Sequence, residues 1–349
     1  MEWERKGPSL PFPSLLFYAI LTAGDASVKE TQFVACRATY SGLFADILFT
    51  DGGKTPQDPR LLILPVFRND PFHLSGSRDE GRKEVQKMYG AILGDIIGCP
   101  YEFDRSPKTK DFPLFIRGSL YTDDSVMTIA VAEALLDTRG QDRQERRKAV
   151  IRSMQKWGRR YPDAGYGGRF YGWIFSRDPQ PYNSWGNGSA MRVSAAGWLY
   201  DTLEETVQAA EDTAIVTHNH PEGIKGAVAA ASVIWAARNG WSREKIREYV
   251  RSEFYPLDQT CDQIRPGYHF DVSCQGTVPQ AITAFLEGND FEDVIRTAVS
   301  LGGDCDTLTC IAGGMAEAMY GVPETLKEEC LRRVEPDMRE VLDRFVRER

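Results

Sequence analysis

Apolar side chains are spaced as in helices along most of the chain. From Val85 onward they recur at intervals of three and four, as in Val294, Ile295, Ala298 and Leu301, which is the period of a helix with one buried face. Many of these segments are rich in alanine and glycine, which allows close packing of helices. The pattern predicts helices over residues 85–98, 124–137, 143–161, 189–199, 203–217, 222–239, 242–254, 278–287, 291–301, 307–320 and 323–346.

The first 84 residues have a different pattern. Prolines separate short β-branched or apolar runs, which predict strands over 31–38, 43–50 and 60–67. Residues 75–81 are polar and rich in glycine and serine, as expected of a linker. We therefore predict a mainly α protein, with a small N-terminal β-containing appendage at 1–84 and a compact all-α helical bundle at 85–349.

Composition narrows the classes of partner. The chain has 349 residues, 50 acidic against 42 basic side chains and a net charge of −8, which argues against a general nucleic-acid-binding surface. No apolar run approaches the roughly 20 residues that span a bilayer. Residues 15–21 resemble a short signal-peptide core, but acidic and basic residues are mixed before it. Seven cysteines without a Cys-x-x-Cys pair indicate free thiols, so we expect a cytoplasmic protein.

Two short acidic segments carry the candidate chemistry, and each precedes an apolar helical segment. Asp and Thr are ordinary helix caps, but they also supply the hard oxygen ligands that Mg²⁺, Mn²⁺ or Ca²⁺ prefers. Each segment alone is as compatible with a cap as with a metal site. Carboxylates grouped in a core repel unless a cation neutralises them, so two such clusters face to face would bind a pair of divalent ions. The clusters are Thr122, Asp123 and Asp124, and Asp304, Asp306 and Thr307.

Other segments are candidates for substrate contacts. Pro100 disfavours further helix, so Glu102 is expected on a loop that could cover a pocket. The Gly-rich turn at 186–192 is either an anion cradle or a plain helix start. The turn at 165–169 carries an aromatic that could stack on a base. His218 and His220 lack a third ligand for zinc, which favours hydrogen bonding to a substrate.

In order, these motifs resemble the ADP-ribosylglycohydrolase family, including the dinitrogenase-reductase-activating glycohydrolases, over about residues 88–322. The resemblance implies an all-α fold and a centre of two Mg²⁺ or Mn²⁺ ions that cleaves ADP-ribose from a modified side chain. The motifs are Gly90-Ala91-Ile92-Leu93-Gly94-Asp95 with Tyr101-Glu102, Thr122-Asp123-Asp124-Ser125, Gly186-Asn187-Gly188-Ser189-Ala190-Met191-Arg192, Thr217-His218-Asn219-His220 and Leu301-Gly302-Gly303-Asp304-Cys305-Asp306-Thr307.

The resemblance also assigns roles by motif position. Thr122, Asp123, Asp124, Asp304, Asp306 and Thr307 would ligate the ions, with Asp306 as the bridge. Asp304 would orient or deprotonate the attacking water, and Glu102 matches a gating or catalytic glutamate. The ADP-ribose groove would be lined by Gly165, Tyr166, Gly167, Asn187, Gly188, Ser189, Met191, Arg192, His218, Gly302 and Gly303.

Several alternatives stay open at this stage. The implied substrate is an ADP-ribosylated protein or a small ADP-ribose conjugate, and the linkage is not specified by the sequence. A second hypothesis is a non-catalytic binder or neutraliser of ADP-ribosylated targets or of an ADP-ribosylating toxin, with residues 1–84 as the protein contact. A third is hydrolysis of a different nucleoside-diphosphate substrate. Cys305 replaces a more usual hydroxyl residue, and the appendage has no counterpart in the resemblance.

Overall fold

A computed structural model describes residues 88–348 and, before them, the backbone of two short strands. Strands β1 (Phe17–Ala19) and β2 (Val34–Cys36) pair antiparallel, and β2 lies inside the strand predicted at 31–38. The predicted strands at 43–50 and 60–67 lie outside the described residues, as does the linker at 75–81. The chain divides into two compact units, Met1–Asp79 and Glu80–Arg349.

Helices account for all the regular elements within residues 88–348, apart from one isolated bridge between Gly186 and Ser273 and two 3₁₀ turns. The predicted all-α fold is confirmed. The helices are α1 (Tyr89–Gly98), α2 (Asp123–Asp137), α3 (Arg143–Arg160), α4 (Gly168–Phe175), α5 (Gly188–Met191), α6 (Ser194–Leu199), α7 (Leu203–Ile215), α8 (Pro221–Arg238), α9 (Arg243–Glu253), α10 (Cys261–Ile264), α11 (Cys274–Glu287), α12 (Phe291–Leu301), α13 (Cys305–Tyr320), α14 (Glu324–Arg333) and α15 (Pro336–Glu348).

The structure departs from the predicted helices where the chain bends or where a helix is short. The helix predicted at 323–346 is two helices, because Val334 is extended and Pro336, which has no N–H to donate, starts a new helix. The helix predicted at 189–199 is likewise split into α5 and α6. Helices α4 and α10 were not predicted.

Glycine contacts hold α1 and α13 together at the centre of the bundle. Gly90, Gly94 and Gly98 are spaced by four, so they lie on one face of α1. A Cβ at any of them would clash with the backbone of α13, including Gly313 and the carbonyl of Thr309. The absence of these side chains lets the two backbones approach closely. It also fixes the carboxylate of α1 relative to the first turn of α13.

No helix within residues 88–348 is long and apolar enough to cross a membrane. The cysteines in this range are free thiols: Cys99, Cys261, Cys274, Cys305, Cys310 and Cys330.

We predict that Gly94→Ala lowers the free energy of unfolding by about 3 kcal/mol, because its methyl group must displace the α13 backbone. The matched control is Gly172→Ala in α4, where no atom lies within 4 Å of an added Cβ. That change should stabilise the protein by about 0.5–1 kcal/mol, since alanine is the better helix former. Urea denaturation followed by circular dichroism measures both, and equal effects at the two sites would contradict the packing argument.

Candidate metal centre

The two acidic segments begin α2 and α13, but only one of them caps its helix with a side-chain hydrogen bond. Thr122 is the N-cap of α2, and its Oγ1 accepts a hydrogen bond of 3.3 Å from the N–H of Asp124. Asp304 occupies the N-cap position of α13, yet its side chain accepts no capping hydrogen bond. The Asp304 carboxylate is therefore not used as a cap, and it is free to face the other carboxylates.

Five carboxylates from three parts of the chain converge at these helix starts. Oxygens of Asp95, Asp124 and Asp306 lie within 4.8 Å of one another, and so do oxygens of Glu102, Asp304 and Asp306. Asp306 belongs to both groups. We call the five residues together the carboxylate centre. All are buried except Glu102, which is partly exposed.

The electrostatics of the centre favour binding of a positive charge. Burial and the neighbouring carboxylates raise the pKa of Asp124 and Asp306 well above the usual range. Burial, the largest cause, also raises the pKa of Asp304 to about 6 and that of Glu102 to about 7. Each shift means that burial and the neighbouring negative charges disfavour the anionic form in the absence of a cation.

One buried oxygen of the centre has no hydrogen-bond partner within residues 88–348. Asp124 Oδ2 accepts a hydrogen bond from the hydroxyl of Thr307, at 3.1 Å, whereas the Thr122 hydroxyl, 3.3 Å away, donates to Asp95 at the shorter distance of 2.8 Å. Asp124 Oδ1 is buried and accepts none within residues 88–348. An unsatisfied buried acceptor costs about 1–3 kcal/mol, and a hard divalent cation would remove that cost. The donor set, carboxylates with hydroxyls, is the one that Mg²⁺ or Mn²⁺ prefers. The residues present therefore fit a divalent metal.

Asp95 was missed as a site residue by the sequence analysis. Its carboxylate accepts hydrogen bonds from the N–H and the hydroxyl of Thr122, both at 2.8 Å, from the N–H of Ser125 at 3.0 Å and from the Ser125 hydroxyl. Asp95 thus holds the first turn of α2 against α1. Burial raises its pKa to about 6. The available signal was a lone carboxylate in the middle of an otherwise buried apolar helix.

The loop that carries Glu102 is anchored at two later residues. Ser106 Oγ donates to the carbonyl of Val299 at 2.6 Å. Lys108 Nζ donates to the carbonyls of Leu301, at 2.6 Å, and Tyr268, at 2.7 Å. These contacts join the Glu102 loop to the end of α12, directly before the diglycine. Lys108 was also missed by the sequence analysis, since its partners are backbone atoms far along the chain.

The diglycine turns the chain from α12 into the carboxylate centre. Gly302 and Gly303 have φ angles of +81° and +74°, which favour glycine. A Cβ on Gly303 would lie 2.6 Å from the ring of Tyr268. Cys305 follows, fully buried, and its thiol faces the carbonyl of Val299. The Cys305 thiol, although it lies between Asp304 and Asp306 in the sequence, therefore contacts the backbone of α12.

Asn187 connects the Gly-rich turn to the carboxylate centre. Its Nδ2 donates to Asp304 Oδ2 at 2.6 Å and to Thr277 Oγ1 at 3.0 Å, so it orients the Asp304 carboxylate. The Asn187 N–H donates to the carbonyl of Val272 at 2.8 Å, and the Gly186 N–H donates to Ser184 Oγ at 3.1 Å. Because these two N–H groups are already bonded, they are not available to bind an anion.

Three residues assigned to the groove lie beneath the turn. Ser189 is fully buried and its hydroxyl donates to the carbonyl of Gly223 at 2.6 Å. Met191 is also buried. Arg192 is 1% exposed and donates from one nitrogen to the carbonyl of Thr213 and the hydroxyl of Thr217. These side chains support the turn from the core, since α5 packs against α8.

The loop at 165–167 lies beside Asp123. The Asp123 N–H donates to the carbonyl of Ala164 at 2.8 Å, and Gly165 has a φ of +103°. The ring of Tyr166 packs on that of Phe170, with centroids 5.7 Å apart. Asp123 belongs to neither carboxylate group, so its role as a ligand stays a prediction.

The model of the ADP-ribosylglycohydrolase family matches residues 83–349. The chain belongs to this family. It is 24% identical to ADP-ribosylhydrolase ARH3 of Gallus gallus, with 70% of this chain and 87% of the relative covered. It is 26% identical to ADP-ribosylarginine hydrolase Tri1 of Pseudomonas putida, with 67% and 70% covered.

A solved structure of an ADP-ribosylglycohydrolase-related protein complex shares the fold. It has a TM-score of 0.55 and 24% identity, and it covers 76% of this chain and 98% of that one. The chain is thus an ADP-ribosylglycohydrolase with the all-α fold of the family. Its five carboxylates form a centre that could hold metal.

We predict that Asp306→Asn has opposite effects with and without metal. In EDTA the change should raise the free energy of unfolding by about 1–3 kcal/mol, because it removes one of the repelling charges. With saturating Mg²⁺ the wild type should gain stability by mass action, whereas the variant should gain little. Urea denaturation in the two buffers tests this. If the variant is less stable than wild type in EDTA and gains as much stability from Mg²⁺ as wild type does, Asp306 is not a ligand shared by two ions.

We also predict that the metal-free glycohydrolase loses stability as the pH rises. The pKa of Asp95 and of Asp304 is about 6, against a usual 3.8, and that of Glu102 is about 7, against 4.5. Because these pKa values are raised in the folded state, their contribution to stability is present near pH 4 and is lost as the pH rises through 6 to 7. Melting temperatures in EDTA should fall across this range, and saturating Mg²⁺ should abolish the fall. A flat or rising profile in EDTA would contradict the arrangement.

Proposed function

We propose that this glycohydrolase uses divalent metal to hydrolyse the bond between the anomeric carbon of ADP-ribose and an acceptor, which releases ADP-ribose. The acceptor is a side chain of a modified protein or the remainder of a small conjugate. The observation that carries the proposal is that two groups of carboxylate oxygens share Asp306. A shared carboxylate between two groups supports a pair of ions with Asp306 as their bridge.

The chain offers ligands on both sides of that bridge. Asp124 presents its unpartnered Oδ1 on one side, and Asp304 lies on the other, beside Glu102. Thr122, Asp123 and Thr307 complete the proposed ligand set. When bound, two Mg²⁺ or Mn²⁺ ions would hold the ribose hydroxyls and lower the pKa of an attacking water. Asp95 has hydrogen-bond donors on both oxygens, so we assign it the positioning of α2.

The remaining chemistry is divided between two carboxyl groups. Asp304 accepts a hydrogen bond from Asn187, which favours its ionised form, so Asp304 is placed to accept the proton of the attacking water. Glu102, whose pKa is raised by burial and by Asp306, is the carboxyl group placed to give a proton to the departing acceptor. Two carboxyl groups, one acting as base and one as acid, are the usual pair in glycoside hydrolysis.

The groove for ADP-ribose would extend from the carboxylate centre over the turn at 186–188, with Gly165 to Gly167, His218 and the diglycine as further walls. The acceptor would leave past Glu102, the partly exposed carboxylate of the centre. One relative is an ADP-ribosylarginine hydrolase by name, which makes ADP-ribosylarginine the first acceptor to test.

We predict that Asp304→Asn lowers the rate of ADP-ribose release about 10²- to 10⁴-fold, because the variant keeps the shape of the side chain but cannot accept a proton. Release is measured from arginine-, serine- and O-acetyl-linked substrates with Mg²⁺ and with EDTA. The matched control is Asp178→Asn, an exposed carboxylate outside the centre, which should turn over normally. Cleavage that is insensitive to EDTA, or unchanged in Asp304→Asn, would overturn the proposal.

A further inference from the structure

Arg192 is a buried cation without an acidic partner. It is 1% exposed, and it forms no ion pair within residues 88–348. One of its terminal nitrogens donates to the carbonyl of Thr213 at 3.0 Å and to Thr217 Oγ1 at 2.8 Å. Its guanidinium also lies over the ring of Phe170, 5.7 Å from the centroid. Burying a charge that only neutral groups contact costs free energy of folding. The contact of Arg192 with Thr217 also acts on the neighbouring residues.

The contact decides the direction of the next hydrogen bond. Arginine can only donate, so the Thr217 hydroxyl accepts from Arg192 and keeps its own proton for another acceptor. The nearest acceptor is Nδ1 of His218, at 2.7 Å, whereas the carbonyl of Ala214 is 3.5 Å away. The shorter distance favours donation from the hydroxyl to Nδ1, and in that arrangement Nδ1 of His218 accepts and carries no proton.

The protonation state of His218 follows. Burial and the charge of Arg192 lower the pKa of His218 well below its usual value, so the ring is neutral. A neutral imidazole whose Nδ1 is an acceptor must carry its proton on Nε2. Nε2 lies under the Gly-rich turn, where added Cβ atoms on Gly186 and Gly188 would be 3.5 and 3.4 Å from it. These distances place Nε2 directly against the turn.

We propose that Arg192 and Thr217 are positioning residues that fix His218 as a neutral Nε2–H donor directed at the turn. There His218 donates to a hydrogen-bond acceptor atom on the nucleotide part of the substrate. The donor role rests on the proposed function, because it assumes that ADP-ribose occupies this groove. A donor whose proton cannot move to the other nitrogen selects an acceptor atom and rejects a ligand that presents a donor at the same place.

The tautomer is tested on the free protein by nitrogen NMR of histidine labelled with ¹⁵N. The chain has four histidines, and the His218→Gln variant identifies the signals of this one. Wild type should show a protonated Nε2 and an unprotonated Nδ1 at pH 7. A protonated Nδ1, or an imidazolium, would overturn the relay whether or not the chain is catalytically active.

The substitution that breaks the relay is Thr217→Val, which keeps the shape of the side chain and removes the hydroxyl. It should release His218 into a mixture of tautomers and raise KM for the ADP-ribosylated substrate about tenfold, with kcat within about twofold of wild type. Thr217→Ser keeps the hydroxyl and should restore both the tautomer and KM. The control is Thr206→Val in α7, which removes a buried hydroxyl that donates to the carbonyl of Thr202 instead, at 3.0 Å, and should leave the tautomer and KM unchanged.

Two results would refute the proposal while leaving the proposed function intact. One is a Thr217→Val protein with the wild-type tautomer and KM, and the other is a loss of kcat at unchanged KM. A wild-type chain that neither binds nor cleaves ADP-ribose would overturn the donor role together with the proposed function. In that event the NMR spectrum of the free protein still decides whether Arg192 and Thr217 fix the tautomer.

Discussion

Mutual repulsion of buried carboxylates is the constraint on which the centre of this fold depends. Five acids occupy a small volume, and each needs a donor or a cation in place of water. The chain supplies donors for most of them: the start of α2 for Asp95, Asn187 for Asp304 and the N–H of Thr307 for Asp306. Within residues 88–348 it supplies none for one oxygen of Asp124. The centre therefore has excess negative charge as well as an oxygen without a hydrogen-bond donor, and a divalent cation would compensate for both.

The same helices that form the core also present these acids. Asp123, Asp124 and Asp306 lie in first helical turns, where the partial positive charge of the helix start favours an anion. The glycine face of α1 brings Asp95 close enough to hold α2 while its helix stays against α13. Stability and chemistry are therefore coupled, since an added methyl group on this face would move the carboxylates as well as loosen the bundle.

The sequence was sufficient for most of the helices, the two acidic clusters and the family, because helical period and ordered motifs are local properties. It was insufficient where a residue acts through a distant partner. In the sequence Asp95 is a single acid in a helix, because its partner α2 is distant along the chain. Arg192 was assigned to the ADP-ribose groove because its burial depends on contacts with α7, which are visible only in the structure. Thr122 and Asp304 have equivalent places in their motifs, yet only Thr122 accepts a capping hydrogen bond. Backbone geometry decided that difference.

Under the proposed function, the residues that cleave the bond lie at helix starts, whereas the residues that select the acceptor lie on a loop. The buried carboxylates are fixed by helix starts and by hydrogen bonds, so their arrangement is shared by every substrate that the enzyme cleaves. Glu102 differs, because it is partly exposed on a loop whose anchors, Ser106 and Lys108, bond to the backbone of α12. Backbone anchors do not depend on the identity of neighbouring side chains, so residues around Glu102 can change without disturbing the centre. Selection among acceptors would then reside in this loop, and selection of the nucleotide in the His218 relay.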